Sequence, residues 1–317
     1  MKTQSAVLIL SCCLASAAWP QTEAKHTLTK FNAPGAGTAS GQGTEGAGIV
    51  ENGAISGWYI DSNNLAHGFL RRPSGKFATF DPIGSQDPYP EGMNSTLSIA
   101  GYYLDSGTAH GFLRAPSGAV TTFDAPAAGT SSGQGTFAGN INAKGEIAGY
   151  YIDSSGVYYA FLRSPKGEFT WFDAPGAGTA AGQGTFPAGF DGLTEDGAVA
   201  GNFVDPTGTY HGFLRAPNGI LTGFDPVGSV NTLVSGINSA ETIVGAYFES
   251  TGGVQGFLRS ADGAITSFDV PDAIITDAVN INVEGEITGS YYDSTGAAQG
   301  YVLSGSGNYT RFDVPDA

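Results

Sequence analysis

The sequence predicts an all-β protein: a six-bladed β-propeller with four antiparallel strands per blade and one spare strand of the fourth type near the N-terminus. Three observations predict this. The aromatic that opens a Phe-Leu-Arg element recurs at Phe69, Phe112, Phe161, Phe213, Phe257 and Tyr301, 43 to 52 residues apart, a spacing that marks a repeat architecture. Each period divides into four short β-rich runs bounded by Gly, Asn, Asp or Pro, which favour turns on steric grounds. The runs carry apolar residues on both parities, so each sheet must be covered on both faces. Composition agrees: 49 of 317 residues are Gly and only 13% are charged, which suits many tight turns around apolar strands.

The third copy shows the division. A first strand, A, runs from Phe137 to Asn142 and ends at Asn142-Ala143-Lys144-Gly145. Strand B, Glu146 to Ile152, ends at Asp153-Ser154-Ser155-Gly156. Strand C, Val157 to Arg163, ends at Ser164-Pro165-Lys166-Gly167, and strand D, Glu168 to Phe172, closes at Asp173-Ala174-Pro175. All three links are of hairpin length. With Gly149 opposite Ala160, one face carries Tyr150, Tyr159, Phe161 and Phe172 and the other Ile147, Tyr151, Leu162, Phe169 and Trp171. Sheets with two apolar faces stack as blades about an axis. A linear stack would need distinct capping ends, and none is visible.

The D-strand Phe-Asp pair occurs at Phe80, Phe123, Phe172, Phe224, Phe268 and Phe312, and a seventh version, Phe31-Asn32, precedes the first A strand. This spare D strand either pairs across the seam with the last blade or forms the outer strand of a permuted first blade.

The first 18 residues read as a secretory signal: Lys2, an apolar run from Ala6 to Leu14, and the small residues Ala15-Ser16-Ala17. A linker over 19–26 and a single repeat domain over 27–317 follow. Both cysteines, Cys12 and Cys13, lie in the signal, so the mature chain is expected to lack cysteine. The bulky Leu10 and the short apolar run before it argue against a lipoprotein cut at Cys12. No later segment is long and apolar enough to cross a bilayer. The expected location is secreted or periplasmic, by the bacterial Sec route, without membrane insertion. A net charge of -16 with only 13 Lys plus Arg excludes a nucleic-acid partner.

His-Gly-Phe-Leu at His67, His110 and His211, Gly236-Ile237-Asn238, and the Ile-Asn-x-x-Gly-x-Ile-x-Gly pattern from Ile141 to Gly149 resemble the bacterial extracellular HAF-type repeat family, over nearly the whole chain after the signal. Gly usually replaces the Ala of the family element, and the His position becomes Tyr159, Gln255 and Gln299. The resemblance implies an exported, propeller-like repeat protein and no established activity.

Most eye-catching residues belong to the repeat itself. The His position varies in type and its copies lie in different blades, which fits a hydrogen-bonding position better than a metal or catalytic site. Arg71, Arg114, Arg163, Arg215 and Arg259 end five C strands, where their stems cover apolar surface; an anion-binding ring is the rival reading. The Asp-Ser-x-Gly turns suit hairpins and lack EF-hand spacing. The long D-to-A loops are unequal: a Gly-Thr-x-x-Gly-Gln-Gly-Thr core occurs only at three of them, giving Gln42, Thr44, Gln134, Thr136, Gln183 and Thr185 as candidate ligand-binding residues. No Ser-His-Asp set or metal-spaced His cluster stands out.

Up-and-down blades put the B–C turns and the D-strand ends on one face. That face collects Asp61, Asp105, Asp153, Asp205, Glu249 and Asp293 with Asp81, Asp124, Asp173, Asp225, Asp269 and Asp313, while the basic residues fall on the other. Such a field attracts divalent cations or a basic partner; Asp81, Asp124, Asp153, Asp173 and Asp225 are the candidate calcium ligands. The function expected is an exported, non-catalytic binding or scaffold propeller. Its ligand or partner, an extracellular glycan or protein with cationic character favoured, would sit on the acidic loop-rich face. The alternative is a propeller hydrolase or lyase acting on extracellular polysaccharide through carboxylates near the axis.

Overall fold

A computed structural model describes residues 29–82, 87–189 and 191–312. The signal segment, both cysteines and Asp313 lie outside them. The architecture below belongs to the unit Phe31–Ala317.

The described residues form strands and turns without a helix. Six antiparallel meanders follow one another. The first is β1 (Gly43–Ile49), β2 (Ile55–Ile60), β3 (Ala66–Arg71) and β4 (Phe77–Phe80); the second is β5 (Asp87–Met93), β6 (Ile99–Asp105), β7 (Thr108–Arg114) and β8 (Val120–Phe123). The third is β9 (Gly135–Ile141), β10 (Ile147–Ile152), β11 (Tyr158–Arg163) and β12 (Phe169–Phe172); the fourth is β13 (Gly184–Pro187), β14 (Val199–Val204), β15 (Tyr210–Arg215) and β16 (Leu221–Phe224). The fifth is β17 (Ser229–Ile237), β18 (Ile243–Glu249), β19 (Val254–Arg259) and β20 (Ile265–Phe268); the sixth is β21 (Ala273–Ile281), β22 (Ile287–Asp293), β23 (Ala298–Leu303) and β24 (Tyr309–Phe312). Single parallel bridges, such as Ala109–Gly135, join meanders two to four and five to six. Among the described residues no strand pairing joins the last meander to the first.

One expectation about register is corrected. Gly149 lies opposite Phe161, and Tyr150 lies opposite Ala160. The reason is steric. The Phe161 ring occupies the space where a Cβ on Gly149 would stand, 2.6 Å from it. Ile147, Tyr151, Phe161, Phe169 and Trp171 therefore share one face, and Ala148, Tyr150, Ala160, Leu162 and Phe172 share the other. The first face is bulky, and the second carries two alanines. Bulky faces pack on the small-residue faces of the preceding meander, as Tyr151 and Phe161 do against Ala100.

The same seat recurs throughout. The B-strand glycines Gly57, Gly101, Gly201, Gly245 and Gly289 run tight against an A-strand carbonyl. Most of these A strands bulge at that level, as between Val234 and Gly236. A second seat lies one strand out, where the D-strand ring covers a C-strand glycine: Phe80 over Gly68, Phe123 over Gly111 and Phe268 over Gly256.

Between meanders, three D-strand Phe rings meet the C-strand Phe of the next edge-on: Phe80–Phe112 at 5.9 Å, Phe172–Phe213 at 6.0 Å and Phe224–Phe257 at 6.1 Å, while Phe123 meets Phe169 at 6.1 Å. The C-terminal arginine of the following meander lies over the same ring: Arg114 on Phe80 at 5.2 Å, Arg215 on Phe172 at 5.1 Å and Arg259 on Phe224 at 5.0 Å. The repeated arginines are thus inter-repeat clamps. Asparagines of the A–B turns add a stitch: Asn94 Nδ2 donates to Asn142 O at 2.9 Å, and Asn238 Nδ2 to Asn282 O at 3.0 Å.

Among the described residues the spare D segment does not form a strand. Ala33 N donates to Thr44 Oγ1, as Ala125 N and Ala174 N donate to Thr136 and Thr185 after β8 and β12. Phe31 instead copies the side-chain half of the motif. It meets Phe69 edge-on at 6.4 Å, and Arg71 lies 4.7 Å over it. The bulky face of the first meander is covered by this segment, with Ala33 and Phe31 in the cluster around Phe69. At the other end Phe312 is 43% exposed.

The two glycine seats differ in what they demand. Ala160 fills in the third repeat the place that Gly256 holds in the fifth, opposite the D-strand Phe in both. No repeat has a side chain at the B-strand seat. Gly245→Ala is expected to cost roughly 1–3 kcal/mol through overpacking, and Gly256→Ala less than half of that, measured as shifts in urea midpoint at constant m-value.

Candidate functional site

At the B–C turn end, the first residue of the histidine elements lies between two carboxylates. His67 Nδ1 contacts Asp81 at 3.0 Å, and its Nε2 stands 3.7 Å from Asp61. His211 repeats this with Asp225 at 2.7 Å and Asp205 at 3.6 Å, and His110 pairs with Asp124 at 2.9 Å. Each ring stacks on an aromatic of strand B: Tyr59, Tyr103 and Phe203. Tyr159 stacks on Tyr151 in the same way, and Gln255 accepts from the Tyr247 hydroxyl at 2.7 Å. The position holds a polar group against an aromatic plane and ties strand C to the D-strand end.

The turn acids close their own hairpins. Asp205 Oδ1 accepts from the amides of Thr207 and Thr209, and the Thr207 hydroxyl with them holds its carboxyl at about 2. Asp61 and Asp293 are lowered by equivalent bonds, led by the Leu65 amide and the Thr295 hydroxyl.

The three glutamine loops place their candidate residues in equivalent positions between successive meanders. The glutamine side chain closes the loop: Gln42 Oε1 accepts from Ala39 N, Gln134 Oε1 from Ser131 N and Gln183 Oε1 from Ala180 N. Its amide reaches the next B–C turn, as from Gln42 to Asn64 and from Gln134 to Ser154 O. Thr44, Thr136 and Thr185 accept from the amides of Ala33, Ala125 and Ala174. These six side chains shape the loops rather than point at a shared centre. What they build in the second meander is a cleft of ≈ 530 Å³, walled by Asp105, Thr108, His110, Asp124, Pro126 and Gly135.

The structure does not gather the five candidate calcium ligands. Asp81, Asp124 and Asp225 face their histidines, Asp173 accepts from the Thr185 hydroxyl, and Asp153 caps its own turn through Ser155 and Val157. Among the described residues no three His, Cys, Asp or Glu side chains come together at metal-holding distance.

A second site escaped sequence reasoning. A cavity of ≈ 160 Å³ opens between the A and B strands of meanders two, three and four, lined by Glu91, Tyr102, Phe137, Asn140, Tyr150 and Gly189 among others. Glu91 lies two residues before the end of β5, where β9 carries Gly139 and β17 carries Ser235. Burial, then the charge of Glu45, pushes its carboxyl up to about 7. Burial also pushes the Tyr102 phenol up to about 12 and that of Tyr150 higher still. The legible signal was an acid inside an A strand that otherwise places small or apolar residues there.

No protein-family model matches the chain, and no curated protein matches it. Among solved structures it is similar to one from a structural and mechanistic study of two prolyl endopeptidases, with a TM-score of 0.59 at 12% identity over 88% of this chain. It covers 44% of that chain, less than half its length. It is also similar to Aleuria aurantia lectin, a fungal lectin with a six-bladed β-propeller fold (TM-score 0.44, 15% identity, 84% of this chain and 92% of that one). TolB from Acinetobacter baumannii gives a TM-score of 0.46 at 11% identity, over 78% of this chain and 64% of that one. These likenesses concern fold. No helix among the described residues is long and apolar enough to cross a membrane.

Glu91 makes a pH prediction. Its folded carboxyl binds a proton more tightly than the usual glutamate value of 4.5, so the native state holds the extra proton and stability falls as pH rises from there through about 7. Glu91→Gln removes that loss. Its melting temperature should match the parent near the lower bound and exceed it by several degrees at pH 8, read by thermal melts across the range.

Proposed function

We propose that the protein is an exported, non-catalytic binding or scaffold β-propeller of six four-stranded blades, which takes its ligand or partner on the acidic, loop-rich end. The observation that carries this reading is the ≈ 530 Å³ cleft beside the second glutamine loop. Its walls offer two carboxylates, an imidazole and the hydroxyls of Ser106, Thr108 and Thr130, with Pro126 among its apolar lining. Acceptors on rigid strand ends and a loop pinned at both sides make a preformed site for a hydroxyl- or amine-bearing ligand. Carboxylates at every B–C turn extend the negative field around that end, which favours a cationic glycan or protein.

The alternative, a polysaccharide hydrolase or lyase, bears on the cavity at Glu91. Glycoside hydrolysis needs two carboxyl groups flanking the bond. Of the cavity's lining residues, Glu91 alone carries one. The binding reading is the better supported.

Chitosan oligomers, chitin oligomers and polygalacturonate separate the outcomes. The cationic chitosan oligomers should bind best, with affinity falling as salt rises. The double variant Asp105→Asn/Asp124→Asn should lose at least fivefold. Equal binding of polygalacturonate would contradict the reading, and release of new reducing ends would support the hydrolase instead.

A further inference from the structure

The cavity at Glu91 has features that the acidic clefts lack. Three of its lining residues, Tyr102, Phe137 and Tyr150, belong to a longer run of partly exposed rings. Trp58 meets Tyr89 at 5.7 Å, Tyr89 stacks on Tyr102 at 5.1 Å, Tyr102 meets Phe137 at 5.0 Å, Phe137 stacks on Tyr150 at 4.9 Å, and Tyr150 meets Phe186 at 5.9 Å. These are cross-strand A–B pairs at one level of successive meanders: Glu45–Trp58, Tyr89–Tyr102 and Phe137–Tyr150. The fifth and sixth meanders place Leu233–Ala246 and Asp277–Ser290 at that level. The fold therefore does not require the rings.

The polar groups at the cavity are unspent. Among the described residues, neither the Glu91 carboxyl nor the Tyr102 and Tyr150 hydroxyls have a hydrogen-bond partner in the protein, and they are open to solvent, which leaves them available to a ligand. The volume, ≈ 160 Å³, is close to that of a cavity that holds one six-membered ring, about 150 Å³ for benzene.

We propose that this cavity is a second binding site, independent of the acidic clefts, for one ring of a neutral saccharide, whose C–H surfaces lie against the walls formed by Tyr102, Phe137 and Tyr150 while its hydroxyls bond the Glu91 carboxyl and the two phenols. Other ligand classes fit less well. An apolar ring would leave Glu91 and both phenols unsatisfied. An anion would face Glu91 with Glu45 close behind. A cation gains from Glu91 only when its carboxyl is ionised, above about 7, whereas a neutral hydroxyl bonds it in either state.

The test uses the full mature chain and a panel of methyl glycosides of glucose, galactose, mannose, xylose and N-acetylglucosamine, with galacturonate and choline as charged probes. Binding is read by saturation-transfer NMR and calorimetry. At least one neutral glycoside should bind in preference to both charged probes. A Cβ on Gly189 would meet nothing within 4 Å, so Gly189→Leu fills the cavity without a backbone clash. It should weaken binding at least tenfold with the melting temperature preserved. Glu91→Ala should do the same and serves if the leucine variant does not fold. Asp105→Asn/Asp124→Asn should change it less than twofold, which separates this site from the acidic cleft. No binding by any neutral glycoside, binding unchanged in both cavity variants, or binding of choline alone would overturn the proposal.

Discussion

The structure depends on one steric fit: an aromatic ring of one strand seated where the adjacent strand carries glycine. Phe161 above Gly149 sets the B–C register, and the same seat is filled by Phe112 at Gly101 and by Phe257 at Gly245. Because side chains alternate, this one choice decides which residues form the bulky face and which the small one. The two faces are complementary, so every meander presents what its neighbour needs. The fully buried side chains are headed by these rings, Phe69, Phe112, Phe161, Phe213, Phe257 and Tyr301.

The stacking that follows is directional. A D-strand Phe donates its face to the next meander's arginine and its edge to the next meander's C-strand Phe. Among the described residues the first copy of that ring is Phe31, and the last, Phe312, is 43% exposed. The stacking leaves free the strand ends with their loops, and the level where Trp58, Tyr102 and Tyr150 give way to Ala246 and Ser290.

Much of this was legible in the sequence. Turn chemistry located the strands, with β11 beginning at Tyr158 where Val157 was expected. The register was not legible, because Gly149 opposite Ala160 and Gly149 opposite Phe161 both leave apolar residues on two faces. Only the close approach of backbone to ring distinguishes them. The spare D segment looked like a strand because Phe-Asn copies Phe-Asp, but among the described residues only its side-chain contacts, Phe31 on Phe69 and under Arg71, are kept. The outer cleft was half visible, since the unequal glutamine loops pointed to it while their own side chains turned out to be its braces. The cavity at Glu91 was hidden because its acid does not recur: β9 carries Gly139 and β17 carries Ser235 at that place.

The central claim is that the repeated rings and arginines are scaffold and that ligand contact lies at the B–C turn end, in the cleft beside the second glutamine loop. Hydrogen exchange with and without bound chitosan oligomers tests it most directly. New protection is predicted in peptides spanning 105–110 and 124–135, with none in the arginine-bearing C–D turns at 71–77, 114–120 and 163–169. Protection centred on those arginine turns, with the 105–135 region unchanged, would contradict the account.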